Sequence, residues 1–434
     1  MKHSTLVPVM ALLTTPAFAG GNPGDFDGDG DVDLVDFGVF QTFFTGPQCP
    51  QIWLPLAGPA GNGMNGSVYT LGTYDDGSGP ALYAGGAFDM AGGVQAIFIG
   101  RWDGSAWSPL VGPSGSGYTG ASIRALATYD DGSGPALHVG GPFGMIGGVQ
   151  ANFIAKWDGT DWSPLVGPSG IGVNNWVLAL NTHDDGTGPA LYVGGRFSMA
   201  GGIVANAVAK WDGTTWSPLA GPAGNGMNMF GEVSALTTYD DGTDPALYAG
   251  GFFNTAGGVS ANNIAKWNGV AWSPLAGPAG NGVNGQVYAL TTYDDGTGLA
   301  LYAGGTFPTA GGVTANRIAR WNGTGWSPVV GPSGNGLTGD GARVNALTTH
   351  ERGTGQALLA GGVFALAGGV TANNIASWTA AGGWSALGSG TDSEVLALHS
   401  FPDGPCPALY LGGQFTMAGG VTANHVAKRC GVVP

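Results

Sequence analysis

The sequence is poor in charge: only 9% of its 434 residues are charged, and only 13 are lysine or arginine. Aspartate and glutamate number 28, so the formal net charge is −15. Binding to nucleic acid through the phosphate backbone needs clustered basic side chains, and the few here are scattered along the chain. The composition therefore argues against nucleic acid as a partner.

Long apolar runs are also missing. Near the N-terminus a short apolar stretch, Leu6–Leu13, follows Lys2 and His3 and precedes Ala17-Phe18-Ala19. A membrane-spanning helix needs about 18 or more apolar residues. Residues 1–19 are therefore predicted to be a cleaved export signal rather than an anchor. We expect a protein that is secreted, or held at the cell surface, and that has no transmembrane segment.

Glycine, in contrast, is abundant, with 85 residues, and much of it belongs to an internal repeat. A Gly-Gly doublet followed by X-Phe occurs seven times, with its second glycine at Gly86, Gly141, Gly195, Gly251, Gly305, Gly362 and Gly413. The spacing between copies runs from 51 to 57 residues. Units of this size cannot bury an apolar face alone, so they must pack on one another.

Each unit is predicted to form four short antiparallel strands. In the fifth unit these are expected at Val287–Tyr293, Ala300–Gly304, Arg317–Trp321 and Trp326–Val329, with Asp-, Asn- and Gly-rich turns between them. Seven such units predict an all-β fold: a seven-bladed β-propeller of four-stranded antiparallel blades over residues 49–434.

The seventh unit lacks its fourth strand, and the missing piece lies near the N-terminus. Trp53–Leu56 matches Trp216–Leu219 of the third unit. We therefore expect the N-terminal strand to close the ring and remove an open sheet edge. The same alignment brings Cys49 and Cys430 to one place, where an exported protein can form a disulfide, while Cys406 leaves other pairings open.

Residues 20–48 contain an acidic loop before an apolar stretch. The loop has EF-hand spacing, with aspartate at positions 1, 3, 5, 9 and 12, Gly30 at position 6, and a backbone carbonyl offered at position 7. Crowded carboxylates repel one another, and a hard cation relieves that repulsion. This predicts a Ca²⁺ site followed by a helix over Leu34–Phe44, the metal residues being Asp25, Asp27, Asp29, Asp31, Asp33 and Asp36. The alternative is a solvated acidic linker.

Two resemblances follow from these motifs. The Asp-rich loop with its apolar stretch resembles half of a type I dockerin, which implies calcium binding and a cohesin-like partner, although dockerins carry two such loops. The Gly-Gly doublet and the turn Trp102-Asp-Gly-Ser-Ala-Trp107 resemble kelch repeats. The fuller repeat string is more similar to repeats of fungal cortical polarity-marker proteins and of bacterial surface proteins. These repeats imply the propeller fold and leave the function open.

Residues typical of catalysis are scarce. There are six histidines and three glutamates, with no histidine cluster at metal-ligand spacing and no converging Ser/His/Asp set. His138, His183 and His350 occupy positions where sister units have tyrosine, which predicts packing roles. Aspartate pairs that open one turn and tryptophan pairs on strands three and four recur by unit, so we interpret them as structural; weak cation sites and sugar stacking are the alternatives. No enzymatic activity is predicted.

One aligned position does not repeat. Just before the first strand of each unit stand Ser67, Ser122, Trp176, Glu232, Gln286, Arg343 and Glu394. First strands line the channel of a propeller, so this position should form a ring around one mouth. Such a mixture of side chains is typical of a binding site, although an exposed loop end also tolerates any residue. The predicted recognition patch is Trp176, Phe230, Glu232, Arg343 and Glu394.

The sequence therefore predicts a secreted or cell-surface, calcium-binding propeller that acts as a non-catalytic scaffold for a protein or a surface glycan. One alternative is a multivalent lectin with repeated sites between blades. Another is a propeller hydrolase, lyase or oxidase.

Overall fold

The computed structural model describes residues 52–58, 61–113, 115, 117–221, 224–228, 230–277, 280–351, 355–402 and 408–431. The predicted signal at 1–19, the calcium motif at 20–48 and both Cys49 and Cys406 lie outside the described residues. The regular elements in the described part of the chain are all β-strands, which confirms the all-β class. Within that same part, no helix is suited to crossing a membrane.

Seven four-stranded antiparallel sheets repeat along the described chain, and we number them in chain order by their first strand. The first strands are Ser67–Asp75, Ala125–Asp130, Val177–Asp184, Glu232–Asp240, Val287–Asp294, Arg343–Glu351 and Val395–Phe401. The second strands are Pro80–Ala87, Pro135–Gly140, Pro189–Gly195, Pro245–Phe252, Leu299–Gly305, Gln356–Val363 and Ala408–Gly413.

The third and fourth strands complete each sheet. The third strands are Ile99–Trp102, Ile154–Trp157, Val208–Trp211, Ile264–Trp267, Ile318–Trp321, Ile375–Thr379 and Val426–Cys430. The fourth strands of sheets one to six are Trp107–Pro109, Trp162–Pro164, Trp216–Pro218, Trp272–Pro274, Trp326–Pro328 and Gly383–Ala386. The four strands expected in the fifth unit are all present, and their ends differ from the expected ones by one residue or less.

Small hairpins fill the connections. Between second and third strands they are Met90–Ala91 with Val94–Gln95, Phe143–Ile146 with Val149–Gln150, Met199–Ala200 with Ile203–Val204, Thr255–Ala256 with Val259–Ser260, Thr309–Ala310 with Val313–Thr314, Leu366–Ala367 with Val370–Thr371, and Met417–Ala418 with Val421–Thr422. Thr119–Gly120 and Leu337–Thr338 each add a strand to one of these. Between sheets lie Ala57–Gly58 with Gly61–Asn62, Val166–Gly167 with Gly170–Ile171, Ala220–Gly221 with Gly224–Asn225, Ala276–Gly277 with Gly280–Asn281, and Val330–Gly331 with Gly334–Asn335.

Sheet seven takes its fourth strand from the other end of the chain. Ile52–Pro55 pairs antiparallel with Val426–Cys430, with Trp53 opposite Arg429. This is the pairing expected from the repeat alignment. The first strands of successive sheets contact one another in chain order, and the first strand of sheet seven contacts that of sheet one. The repeated sheets are therefore propeller-like in arrangement.

The Gly-Gly doublet lies where strands pack closely, both within a sheet and against the next sheet. A β-carbon on Gly304 would lie 2.5 Å from Val344 Cγ1 of the next sheet, and one on Gly305 would collide with the Gln286 carbonyl of its own sheet. Both positions are therefore occupied by glycine, because any side chain there would collide with its neighbours.

The tryptophan pairs lie inside the sheet packing. The rings of Trp321 and Trp326 are 5.3 Å apart, and both side chains are buried. Trp326 Nε1 donates a hydrogen bond to the carbonyl of Leu275, in the segment that follows the preceding sheet, at 3.1 Å. The same kind of bond, to the segment before the tryptophan's own sheet, is made by Trp107, Trp162, Trp272 and Trp384. The paired tryptophans are buried, so they have no exposed face on which a sugar could stack.

Candidate functional site at the channel mouth

All seven first strands line one cavity of about 210 Å³, which we call the channel. One ring of its lining is uniform: Leu71, Leu126, Leu180, Leu236, Leu290, Leu347 and Leu398. Two residues earlier on each strand the lining is varied: Tyr69, Arg124, Leu178, Ser234, Tyr288, Asn345 and Leu396. The leucine ring is an apolar part of the lining, while the varied ring lies on the side of the non-repeating position found in the sequence.

A pocket of about 350 Å³ opens at this mouth. It is lined by Tyr69, Arg124, Trp176, Leu178, Arg196, Glu232, Ser234, Gln286, Tyr288, Asn345 and Leu396. The structure thus brings Trp176 and Glu232 of the predicted patch into one pocket. It joins Arg343 to Glu394 beside the pocket and leaves Phe230 out of the lining.

Sequence reasoning missed Arg124, Arg196, Tyr69 and Tyr288. For Tyr69, Arg124 and Tyr288 a signal was available, because the position two residues further along the chain varies as much as the one that was singled out. Arg196 lies elsewhere, directly after the Gly-Gly doublet of the third unit. Every first strand except that of sheet two has a register irregularity just past the mouth, as between Val287 and Ala289. Such bulges change the direction of neighbouring side chains, which strict alternation along a strand does not anticipate.

The two acids at the mouth are fixed by groups from adjoining sheets. Glu232 is 2.6 Å from Arg196 Nε, and its carboxylate accepts hydrogen bonds from Ser234 Oγ at 2.6 Å and Gln286 Nε2 at 2.8 Å. Glu394 Oε1 is 2.7 Å from Arg343 Nη2 and accepts a hydrogen bond from Asn345 Nδ2, also at 2.7 Å. These bonds fix the positions of both carboxylates at the mouth.

The aromatic residues of the patch differ in exposure. Trp176 is 36% exposed, and the Arg196 guanidinium lies 5.1 Å from its ring centroid. Phe230 is 91% exposed with a φ of 72°, and Phe252, which pairs with Glu232, is 61% exposed. Phe230 and Phe252 are therefore largely exposed, whereas Trp176 is mostly covered.

Arg124 and Tyr288 are two partly buried titratable residues of the pocket. Burial lowers the pKa of Arg124, the nearby Tyr69 raises it, and the nearby Arg196 lowers it further. A guanidinium nevertheless stays protonated in a protein, so Arg124 is a cation. Burial raises the pKa of Tyr288, and the negative charge of Glu232 adds to that effect, so Tyr288 is a neutral hydroxyl.

The opposite end of the first strands carries the repeated aspartate pairs. In sheet three, Asp184 Oδ1 accepts backbone hydrogen bonds from Gly186 and Gly188, as a turn cap does. Asp185 instead forms an ion pair with Lys210 Nζ at 2.7 Å. Equivalent pairs join Asp76 to Arg101, Asp131 to Lys156, Asp241 to Lys266 and Asp295 to Arg320. Their structural interpretation is supported, since each carboxylate has partners within its own sheet.

The histidines at tyrosine positions are packed inside. His138 is fully buried with its ring 5.6 Å from that of Tyr129, and burial lowers its pKa to about 4. His183 lies 5.5 Å from the Tyr192 ring, and His350 Nδ1 is 2.9 Å from Ser400 Oγ. In the part of the chain that the structure covers, no group of three or more His, Cys, Asp or Glu is placed to hold a metal.

Comparisons with known proteins add little. No family model matches the chain, and no curated protein matches it. Among solved structures, BBS1N in complex with ARL6DN is 12% identical, with a TM-score of 0.44, covering 88% of this chain and 97% of that one. An ancestral GH74 enzyme is 10% identical, with a TM-score of 0.47, covering 89% of this chain and 52% of that one. At these similarities neither protein bears on the function of this chain.

Proposed function

We propose that this chain is a closed seven-bladed β-propeller, exported to the surface or the medium, that binds a ligand at its channel mouth without catalysing a reaction. The ring is supported by the contact of sheet seven with sheet one and by the strand Ile52–Pro55, which completes sheet seven. A closed ring leaves no unpaired sheet edge, which suits a soluble repeat protein outside the cell.

The observation that carries this function is that the sequence varies between units at one end of the channel. The scaffold positions are nearly identical from unit to unit, whereas one end of the channel combines aromatic, acidic, basic and amide side chains. Fixed polar groups beside aromatic faces in one pocket are typical of a binding site. Buried tryptophan pairs weigh against the alternative of lectin sites between blades.

The mouth can be tested once an array of immobilised glycans and surface proteins has supplied a ligand. The double variant Trp176→Ala/Arg343→Ala is expected to weaken binding at least tenfold, about 1.4 kcal/mol, because it removes an aromatic face and the ion-pair partner of Glu394. Titration calorimetry on the full chain measures the effect. Val270→Ala is the control, since Val270 is an exposed residue of a distant turn. Normal binding by the double variant would place the site elsewhere and reopen the lectin alternative.

We also propose that the segment at residues 20–48 binds one Ca²⁺. Its support is the aspartate spacing alone, and the cohesin-like partner implied by the dockerin resemblance depends on it.

Asp25→Ala is expected to abolish calcium binding by the full chain, because it removes the ligand at position 1 of the loop. Calorimetric titration with CaCl₂ measures this, and Asp244→Ala, a change of the same charge outside the loop, serves as the control. Unchanged calcium binding by Asp25→Ala would refute the assignment.

A further inference from the structure

Arg124 is a cation without a carboxylate partner in the channel mouth. Its Cζ lies 3.8 Å from the centroid of the Tyr69 ring, and its Nε donates a hydrogen bond to Ser122 Oγ at 3.2 Å. Among the described residues no carboxylate pairs with it, whereas Arg196 and Arg343 at the same mouth each have one. A half-buried charge without a counter-ion costs free energy, and that cost falls when an anion binds.

The charge balance of the pocket points in the same direction. Its charged lining residues are Arg124, Arg196 and Glu232, two cations and one anion, which leaves one positive charge unbalanced. This excess occurs in a chain whose net charge is −15. A low-dielectric pocket with one uncompensated cation favours a ligand that carries one negative charge.

A carboxylate is the anion that suits this geometry. The stacking of Arg124 on Tyr69 fixes the plane of the guanidinium, and a planar guanidinium binds a carboxylate through two parallel hydrogen bonds. Only its Nε has a hydrogen-bond acceptor in the described structure, so the two Nη groups remain available to a ligand.

The rest of the pocket indicates what carries the carboxylate. Its volume of about 350 Å³ is at the small end of ligand sites, which run from roughly 300 to 1,000 Å³, so it accepts a small ring rather than a folded surface. Tyr69, Tyr288 and Trp176 supply aromatic surface, and Gln286 and Asn345 supply uncharged hydrogen-bonding groups. Aromatic faces with amide groups suit a hydroxylated ring that has one apolar face.

We propose that the mouth binds the terminal hexuronate of an acidic glycan, with Arg124 pairing the sugar carboxylate. This inference rests on the proposed binding function of the mouth and names its ligand class. Arg124 recognises the charge, while the aromatic lining contacts the sugar ring.

The test uses the full chain, titrated by calorimetry with sodium D-glucuronate and sodium D-galacturonate. The neutral sugars D-glucose and D-galactose serve as comparison ligands. The α-amide of N-acetylglutamate, which keeps the side-chain carboxylate, is the comparison ligand for a peptide. We expect at least one uronate to bind at least tenfold more tightly than its neutral counterpart. Arg124→Gln should remove that preference, and Arg101→Gln, the same change at the far end of a sheet, should retain it. Melting curves of both variants establish that they are folded.

Three results would overturn the inference. One is equal binding of uronate and neutral sugar, and another is unchanged uronate binding by folded Arg124→Gln. The third is equal or tighter binding of the N-acetylglutamate amide, which would indicate a peptide ligand. If no uronate binds while Trp176→Ala/Arg343→Ala weakens another ligand, the inference fails and the proposed function stands. If uronate binds and neither Arg124→Gln nor that double variant affects it, both fail.

Discussion

Trp53→Ala is expected to lower the free energy of unfolding by about 3–5 kcal/mol, the usual cost of removing a buried large aromatic side chain. Trp53 is 9% exposed although it lies on a strand of four residues near the N-terminus. Its indole occupies the space that a β-carbon on Gly419 would need, just as Trp326 does at Gly311. Trp53, near the N-terminus, therefore packs against sheet seven and stabilises it.

Deleting residues 20–57 should have a larger effect, because it removes this strand entirely. Val426–Cys430 would then become an edge strand with unpaired backbone groups, and such edges promote aggregation. A Cys49–Cys430 disulfide, as predicted from the sequence, would add roughly 4–5 kcal/mol to the stability of the full-length chain in the chain-entropy model. The difference in stability between the full-length and truncated chains should therefore be larger under oxidising conditions.

Urea unfolding measures the loss of stability in Trp53→Ala. Light scattering measures the aggregation of the chain that lacks residues 20–57. Ile52→Ala is the matched control on the same strand, since Ile52 is 43% exposed and should cost little. A truncated protein that stays monomeric and melts at the unchanged temperature would contradict the closure of the ring by this strand.

Asp185→Ala is the second change with a large expected effect, a loss of about 3–5 kcal/mol. The Asp185 and Lys210 side chains are only 7% and 14% exposed, so the variant would leave a nearly buried ammonium without its counter-ion. Lys210 also lies 5.7 Å from the Tyr192 ring centroid, and it donates a hydrogen bond to Thr187 Oγ1 at 2.6 Å. The Asp185 carboxylate thus neutralises Lys210, whose ammonium also contacts Thr187 and Tyr192.

The chain itself offers two controls for this variant. Asp184→Ala removes only a turn cap and should cost about 1 kcal/mol. Sheet six has leucine at 359 and serine at 377, where sheet three has Tyr192 and Lys210, and it has arginine at 352, where sheet three has Asp185. The triple variant Asp185→Ala/Tyr192→Leu/Lys210→Ser should therefore recover part of the lost stability. If the triple variant is less stable than Asp185→Ala alone, these residues do not act as a unit.

The Asp185–Lys210 pair also predicts that the free energy of unfolding depends on pH in the acid range. Burial alone would raise the pKa of Asp185, but the hydrogen bonds from Lys210 and Thr187 outweigh burial and lower it to about 2. Because the ordinary value is 3.8, the stabilisation is complete above that pH and is lost as the pH falls towards 2. The difference in stability between the wild type and Asp185→Ala should shrink over this interval in urea titrations.

Much of the fold could be predicted because the signals are local and repeated seven times. The Gly-Gly doublets, the aspartate turns and the tryptophan pairs each have a physical reason within one unit or between neighbouring units, so one correct interpretation applies throughout. The fourth strand of sheet seven is distant in sequence, and it could be found because Trp53–Leu56 copies a segment that recurs elsewhere.

The candidate site was predictable only in part. Trp176 and Glu232 were found because their aligned position fails to repeat, and both line the pocket. Phe230 stands outside that lining, and Arg343 with Glu394 forms a pair beside it. Arg124 was missed, because whether a cation is paired depends on which carboxylates lie around it, and those come from other sheets.

The sequence by itself determined the repeat, its four strands and the segment that completes the last sheet, because hydrophobic patterning and turn chemistry act over a few residues. Only the tertiary structure decided which varied side chains share one pocket and which charge there is unbalanced. Arg124, Arg196 and Glu232 come from three different repeats, and the first strands of sheets three and four carry register irregularities that alternation does not reveal. Electrostatic balance is a property of distances across the ring, and those distances exist only after the sheets have packed.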